Sequence, residues 1–218
     1  MAIAAGACRD STNTNDIVVD SALAVSNLLS GAGGIDTGTV ANSTFYAVFV
    51  IGDSTGYQSA AGLLSTSATA PVMPYGYDVF RRIGWVKTDG TADFLEFRQR
   101  GEGADRWMWY DASIATDITA GSSATFAAVD MSGGVPDLTV SGEVIIAATF
   151  TPTGADDPLN LRPGDSSSTD GYAIETGSAA GVVKKSNMRL PFDATTGIDY
   201  KVTGSAVALN VQAYLDQL

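Results

Sequence analysis

The chain of 218 residues contains no histidine. That absence removes Ser-His-Asp and Cys-His nucleophilic catalysis, His-ligated zinc, and the commonest general base near neutral pH. Cysteine occurs once, at Cys8, so neither an intrachain disulfide nor a thiolate metal cluster can form. Glutamate and lysine are scarce, at 4 residues each beside 20 Asp, which leaves few polar residues that favour helices. No run approaches the roughly 20 apolar residues of a membrane helix. The opening Met1-Ala-Ile-Ala-Ala-Gly-Ala-Cys8 has a faint likeness to the end of a lipoprotein signal. It lacks a basic region and its apolar run is short, so neither a signal peptide nor a lipid anchor is expected.

What is present points to strands. Turn formers and β-branched residues are plentiful, with 24 Gly, 20 Ser and 22 Thr, and apolar residues make up 45% of the chain. The balance predicts an all-β fold with a substantial core. The net charge of −12 and the pI near 4.1 disfavour nucleic acid and anionic lipid as partners, and serve solubility.

Residues 1–15 are small and polar and read as an N-terminal docking arm, with Ile3, Cys8 and Arg9 as its contact residues. A single β-sandwich domain is expected over 16–218. Residues 43–51 are β-branched and aromatic throughout, which predicts a central strand covered on both sides. Residues 80–87 and 92–98 read as a hairpin about a two-residue Asp89-Gly90 turn, setting Trp85 opposite Phe94 and Arg82 opposite Phe97. In 106–110, Trp107 and Trp109 share one face while Met108 and Tyr110 share the other. Residues 140–150 form a long strand. The Pro/Gly/Ser/Asp-rich stretch 151–170 reads as a long exposed loop. The last segment alternates apolar and polar from Val207 to Asp216 and reads as a strand rather than a helix. About ten strands with short turns give a jelly-roll-like β-sandwich.

No stretch has the look of a catalytic centre. Gly52-Asp53-Ser54 follows a strand, as one esterase nucleophile does, but that mechanism needs a histidine; an Asx-type turn is the simpler reading. Glu96, Glu102 and Asp105 are the first carboxylates to consider for glycoside hydrolysis. The Asp-rich stretches 154–158 and 164–171 offer oxygen ligands without the spacing of an established calcium loop. No metal and no cofactor are therefore expected. Tyr75, Tyr77, Trp85, Trp107 and Trp109 could stack on sugars, although aromatics at strand positions more often form core or subunit contacts.

Several motifs carry a family resemblance. Ile35-Asp-Thr-Gly38, Thr44-Phe-Tyr-Ala-Val48, Gly62-Leu-Leu-Ser-Thr-Ser67, Pro74-Tyr-Gly-Tyr77, Arg81-Arg-Ile-Gly-Trp-Val86 and Thr88-Asp-Gly90 stand in this order. In that order they resemble a group of tailed-phage virion structural proteins and terminal domains of tail-fibre-like proteins. The likeness covers nearly the whole chain after residue 15, and is specific in the middle. It implies a non-enzymatic virion protein, of the capsid decoration, cement or head-fibre type or a tail-fibre or baseplate tip. It further implies assembly as a homotrimer beside the major capsid protein or a tail or baseplate protein, and no catalytic residue.

Overall fold

The computed structural model describes residues 1–102, 105–115, 121–136, 141–154, 158–176, 181–192, 197–202 and 207–217. Among the described residues the protein is all-β, built from several antiparallel sheets. It divides into two compact units, Met1–Leu95 and Glu96–Leu218. The boundary falls where the composition shows no break.

The first unit contains β1 (Ala2–Ile3), β2 (Gly6–Arg9), β3 (Asp16–Val19), β4 (Leu23–Ala24), β5 (Phe45–Gly52), β6 (Ala61–Ser65) and β7 (Val79–Lys87). β5 lies between β6 and β7 and is buried from Tyr46 to Gly52, as its two-sided apolar pattern predicts. Residues 1–15, expected as a docking arm, are paired into the first unit. β2 pairs with β3 and β1 with β4, which makes one broken hairpin running back along itself. Its period-two pattern turns Cys8, Ile17 and Val19 inward, with Ile3 and Leu23, against Val50, Val79 and Ile83. Gly62 in β6 lets this layer approach: a Cβ there would overlap Val25 and press on Ile3. Burying these apolar side chains offsets the entropy of ordering the hairpin, which composition alone does not reveal.

The expected hairpin about Asp89-Gly90 is also replaced. Beyond β7 the two sides are joined by a bridge between Thr88 and Phe94 and by hydrogen bonds from Leu95 N to Lys87 O and from Asp89 N to Asp93 O. The positive φ falls on Ala92, at 66°. Asp89 is the reason, because its carboxylate accepts from Thr91 N, Thr91 Oγ1 and Asp93 N and so holds a wider turn. Trp85 therefore pairs with Ala47 and Arg82 with Phe49 in β5, and Phe97 belongs to the second unit.

The second unit contains β8 (Phe97–Glu102), β9 (Asp105–Ala115), β10 (Ala127–Val129), β11 (Ser141–Phe150), β12 (Pro158–Pro163), β13 (Tyr172–Thr176), β14 (Lys184–Pro191), β15 (Ile198–Val202) and β16 (Val207–Gln217). One sheet has the order β14-β11-β16-β9-β8 and the other β10-β15-β12-β13. Each buries one face, giving a sandwich-like core that includes Val144, Ile146, Phe150, Leu159, Leu161, Ile198 and Leu209. The stretch 151–170 is not one long loop, since β12 lies within it and buries Leu159, Asn160 and Leu161.

The terminal strand alternates as expected only to Val211. A bulge at Gln212, where Ile145 and Ile146 of β11 oppose Ala213 and Val211, reverses the faces beyond it. Tyr214 and Asp216 thereby join Val211 on the core face, whereas Ala213 and Leu215 oppose Trp109 and Trp107.

Candidate functional site

The sequence-selected aromatics do not form one platform. Trp85 is buried in the first unit at 3% exposure, so it is core. Trp107 and Trp109 are half-buried on the outer face of the second unit's larger sheet, with ring centres 6.3 Å apart. The Arg189 guanidinium lies 4.9 Å from the Trp107 ring centre and also pairs with Glu143, so it occupies part of that aromatic surface. Tyr75 and Tyr77 lie in the first unit. Of the suggested docking residues, Ile3 and Cys8 pack inward, while Arg9 is exposed and forms a 2.9 Å ion pair with Asp16. Burial raises the Cys8 thiol pKa, opposed by the nearby Arg81 charge.

The carboxylates considered for chemistry also have structural settings. Glu96 is exposed at the start of the second unit and Asp105 is exposed at the β8–β9 turn; the side chain of Glu102 lies outside the described residues. In the 164–171 stretch, Arg162 donates to Ser168 O and Lys201 Nζ donates to Thr169 O at 2.9 Å. Both cations lie over the Phe126 ring, and Arg162 is held by Asp199. The stretch 154–158 includes 155–157, outside the described residues. Among the described residues, no group of three His, Cys, Asp or Glu is placed to hold a metal ion.

The built surface feature is a pair of loops in the first unit. Asp53 follows β5 and folds its loop inward: its carboxylate accepts from Thr55 N at 2.9 Å, Tyr57 N at 3.0 Å and Gln58 N at 3.2 Å, and from Thr55 Oγ1. These bonds, led by that from the Thr55 hydroxyl, lower the Asp53 pKa below the usual carboxylate range. The expected Asx-type turn is what Gly52-Asp53-Ser54 makes. Asp78 binds both Ser54 N and Ser54 Oγ, tying this loop to the segment before β7.

A second loop runs through Pro74-Tyr75-Gly76-Tyr77 and meets the first. Gly76 has φ of 87°, and a Cβ there would lie 3.4 Å from the Gln58 side chain. Tyr77 donates its hydroxyl to Ser59 O at 3.2 Å. These contacts fix two tyrosines in water: Tyr57 is 89% exposed and Tyr75 fully exposed. Beside Tyr57 is a polar cleft of about 290 Å³, lined in part by Asp16, Asp20, Asp53, Tyr57, Gln58 and Ser59. Tyr57 was missed as a candidate because no strand pattern surrounds it. An Asp-x-Thr signal was available, since Asp10-Ser-Thr12, Asp53-Ser-Thr55 and Asp89-Gly-Thr91 all form the same kind of Asp-capped loop.

No family model, curated protein or solved structure matches the chain.

Proposed function

We propose that the chain is a non-enzymatic structural protein on the exterior of a tailed-phage particle, a capsid decoration, cement or head-fibre-type protein. The strand order of the second unit carries this reading. From β9 to β16, the orders β9-β16-β11-β14 and β10-β15-β12-β13 are those a double Greek key would give, which supports a jelly-roll reading. That architecture is used by viral capsid and lectin domains. The motifs of 35–90 add the resemblance to virion proteins. Attachment falls to the outer side of the β2–β3 hairpin, where Ala7, Arg9 and Val18 are exposed. Neighbouring copies in a homotrimer and the major capsid protein are the proposed partners.

The decisive experiment is quantitative mass spectrometry of purified particles, with electron microscopy of antibody-labelled virions. Repeated copies on the head support the reading. Absence from particles that still carry their full structural complement overturns it. A second reading, a receptor- or glycan-binding tip on the tail, is favoured by the two exposed tyrosines on fixed loops. Label confined to the tail end selects it.

A further inference from the structure

We infer that the paired loops of the first unit form a binding site for a neutral, hydroxyl-rich saccharide, with Tyr57 and Tyr75 as stacking surfaces. The inference rests on the second reading above and supplies its site and ligand class. Large aromatics are usually drawn into a core or covered, yet these two project into water. Their loops are fixed from within by the Asp53 carboxylate, the Asp78–Ser54 pair and the Tyr77–Ser59 hydrogen bond. A ligand would therefore meet a surface already ordered, which reduces the entropy lost on binding.

The cleft beside Tyr57 supplies polar groups suited to sugar hydroxyls. Gln58 offers both donors and acceptors, and Asp20 offers a carboxylate acceptor. The carboxylates of Asp20 and Asp53 at the same cleft, where Asp16 is already paired with Arg9, repel anionic sugars, in a chain of net charge −12. Aromatic faces, hydroxyl partners and this sign of charge select a neutral glycan over uronic-acid, sialylated or phosphorylated chains.

The test is a glycan array probed with the full chain, followed by calorimetry on the best ligand and on charged analogues. Saturable binding to neutral glycans should fall at least tenfold in Tyr57→Ala and in Tyr75→Ala. Tyr57→Phe and Tyr75→Phe should retain it, and the melting curves of all four variants should match the wild type. Binding that survives both alanine changes but is lost in Trp107→Ala retains the glycan-binding reading and overturns this site. Preference for anionic glycans overturns the ligand class. Failure to bind any glycan, neutral or charged, overturns this site together with glycan binding at the tail tip. A change in oligomeric state in Tyr57→Ala, by light scattering, would mark the surface as a subunit contact and overturn the proposal.

Discussion

The two units reach stability by different means. In the first, the main sheet has only three strands, and loops closed by aspartates hold its hairpins in place. Asp10 is buried and accepts from Thr12 Oγ1, Thr14 N and Asn15 Nδ2; Asp53 and Asp89 repeat the device at later turns. In the second, two larger sheets bury long apolar strands, and the prominent polar pair, Arg162–Asp199, joins adjacent strands β12 and β15. A small sheet buries less apolar area per residue, so local hydrogen bonds set a larger share of its order. The abundance of aspartate thus has a structural use beyond surface charge. Asp suits it because its short carboxylate reaches the backbone N–H groups of its own turn.

The contrast can be tested with the tryptophans, since Trp85 reports on the first unit and Trp107 and Trp109 on the second. The largest effect should come from deleting residues 1–15. That removes both the β-pairing partner of Asp16–Val19 and the cover from Ile3 and Cys8, so the Trp85 environment should be lost at ambient temperature. Retention of a cooperative Trp85 transition at the wild-type midpoint would refute the role assigned to this hairpin. Next, Phe150→Ala should destabilise the second unit by about 3–5 kcal/mol, read from denaturant curves through Trp107 and Trp109. Equal displacement of the Trp85 signal would weaken the division into two units.

Arg162→Ala should cost up to about 3 kcal/mol, because Asp199 then loses its partner in a largely buried setting. The same curves measure it. Gly62→Ala should cost about 1–3 kcal/mol by forcing Val25 and Ile3 away from β6, a loss confined to the Trp85 transition.

The smallest effect concerns pH. Hydrogen bonds hold the pKa values of Asp10, Asp53 and Asp89 below the ordinary carboxylate value; the leading donors are Asn15, Thr55 Oγ1 and Thr91 N respectively. Among the described residues of the second unit, Asp130 has its pKa lowered in the same way by Ser132. The folded values lie below the unfolded one, so their stabilisation is full above about pH 4. It is lost as pH falls through the depressed folded values. The Trp85 transition should therefore lose more of its melting temperature than the Trp107/Trp109 transition between pH 7 and pH 2. Asp53→Asn should reduce that difference; equal acid sensitivity of both transitions would contradict the comparison.

Parts of this architecture were legible directly. The two-sided apolar run at Tyr46–Ile51 marks a central strand because neither face has polar side chains for water. The separation of Trp107 and Trp109 from Met108 and Tyr110 follows from the period of two. The candidate site was only partly visible. Tyr75 and Tyr77 stood out as aromatics, but the exposure of Tyr57 depends on how the Asp53 turn directs its loop.

The amino-acid sequence by itself determined the all-β class, the core strands and the exclusion of histidine chemistry. These depend on residue type and local period, which act over a few neighbours. Tertiary structure decided that residues 1–15 pack as one side of a hairpin with β3 and β4, that Phe97 leaves the expected hairpin for β9, and that Gln212 reverses the faces of β16. Each of these depends on which distant strand supplies the pairing edge or apolar cover. Gly62 illustrates the reason: its missing side chain admits Val25 and Ile3, a consequence that becomes visible only when they meet in space.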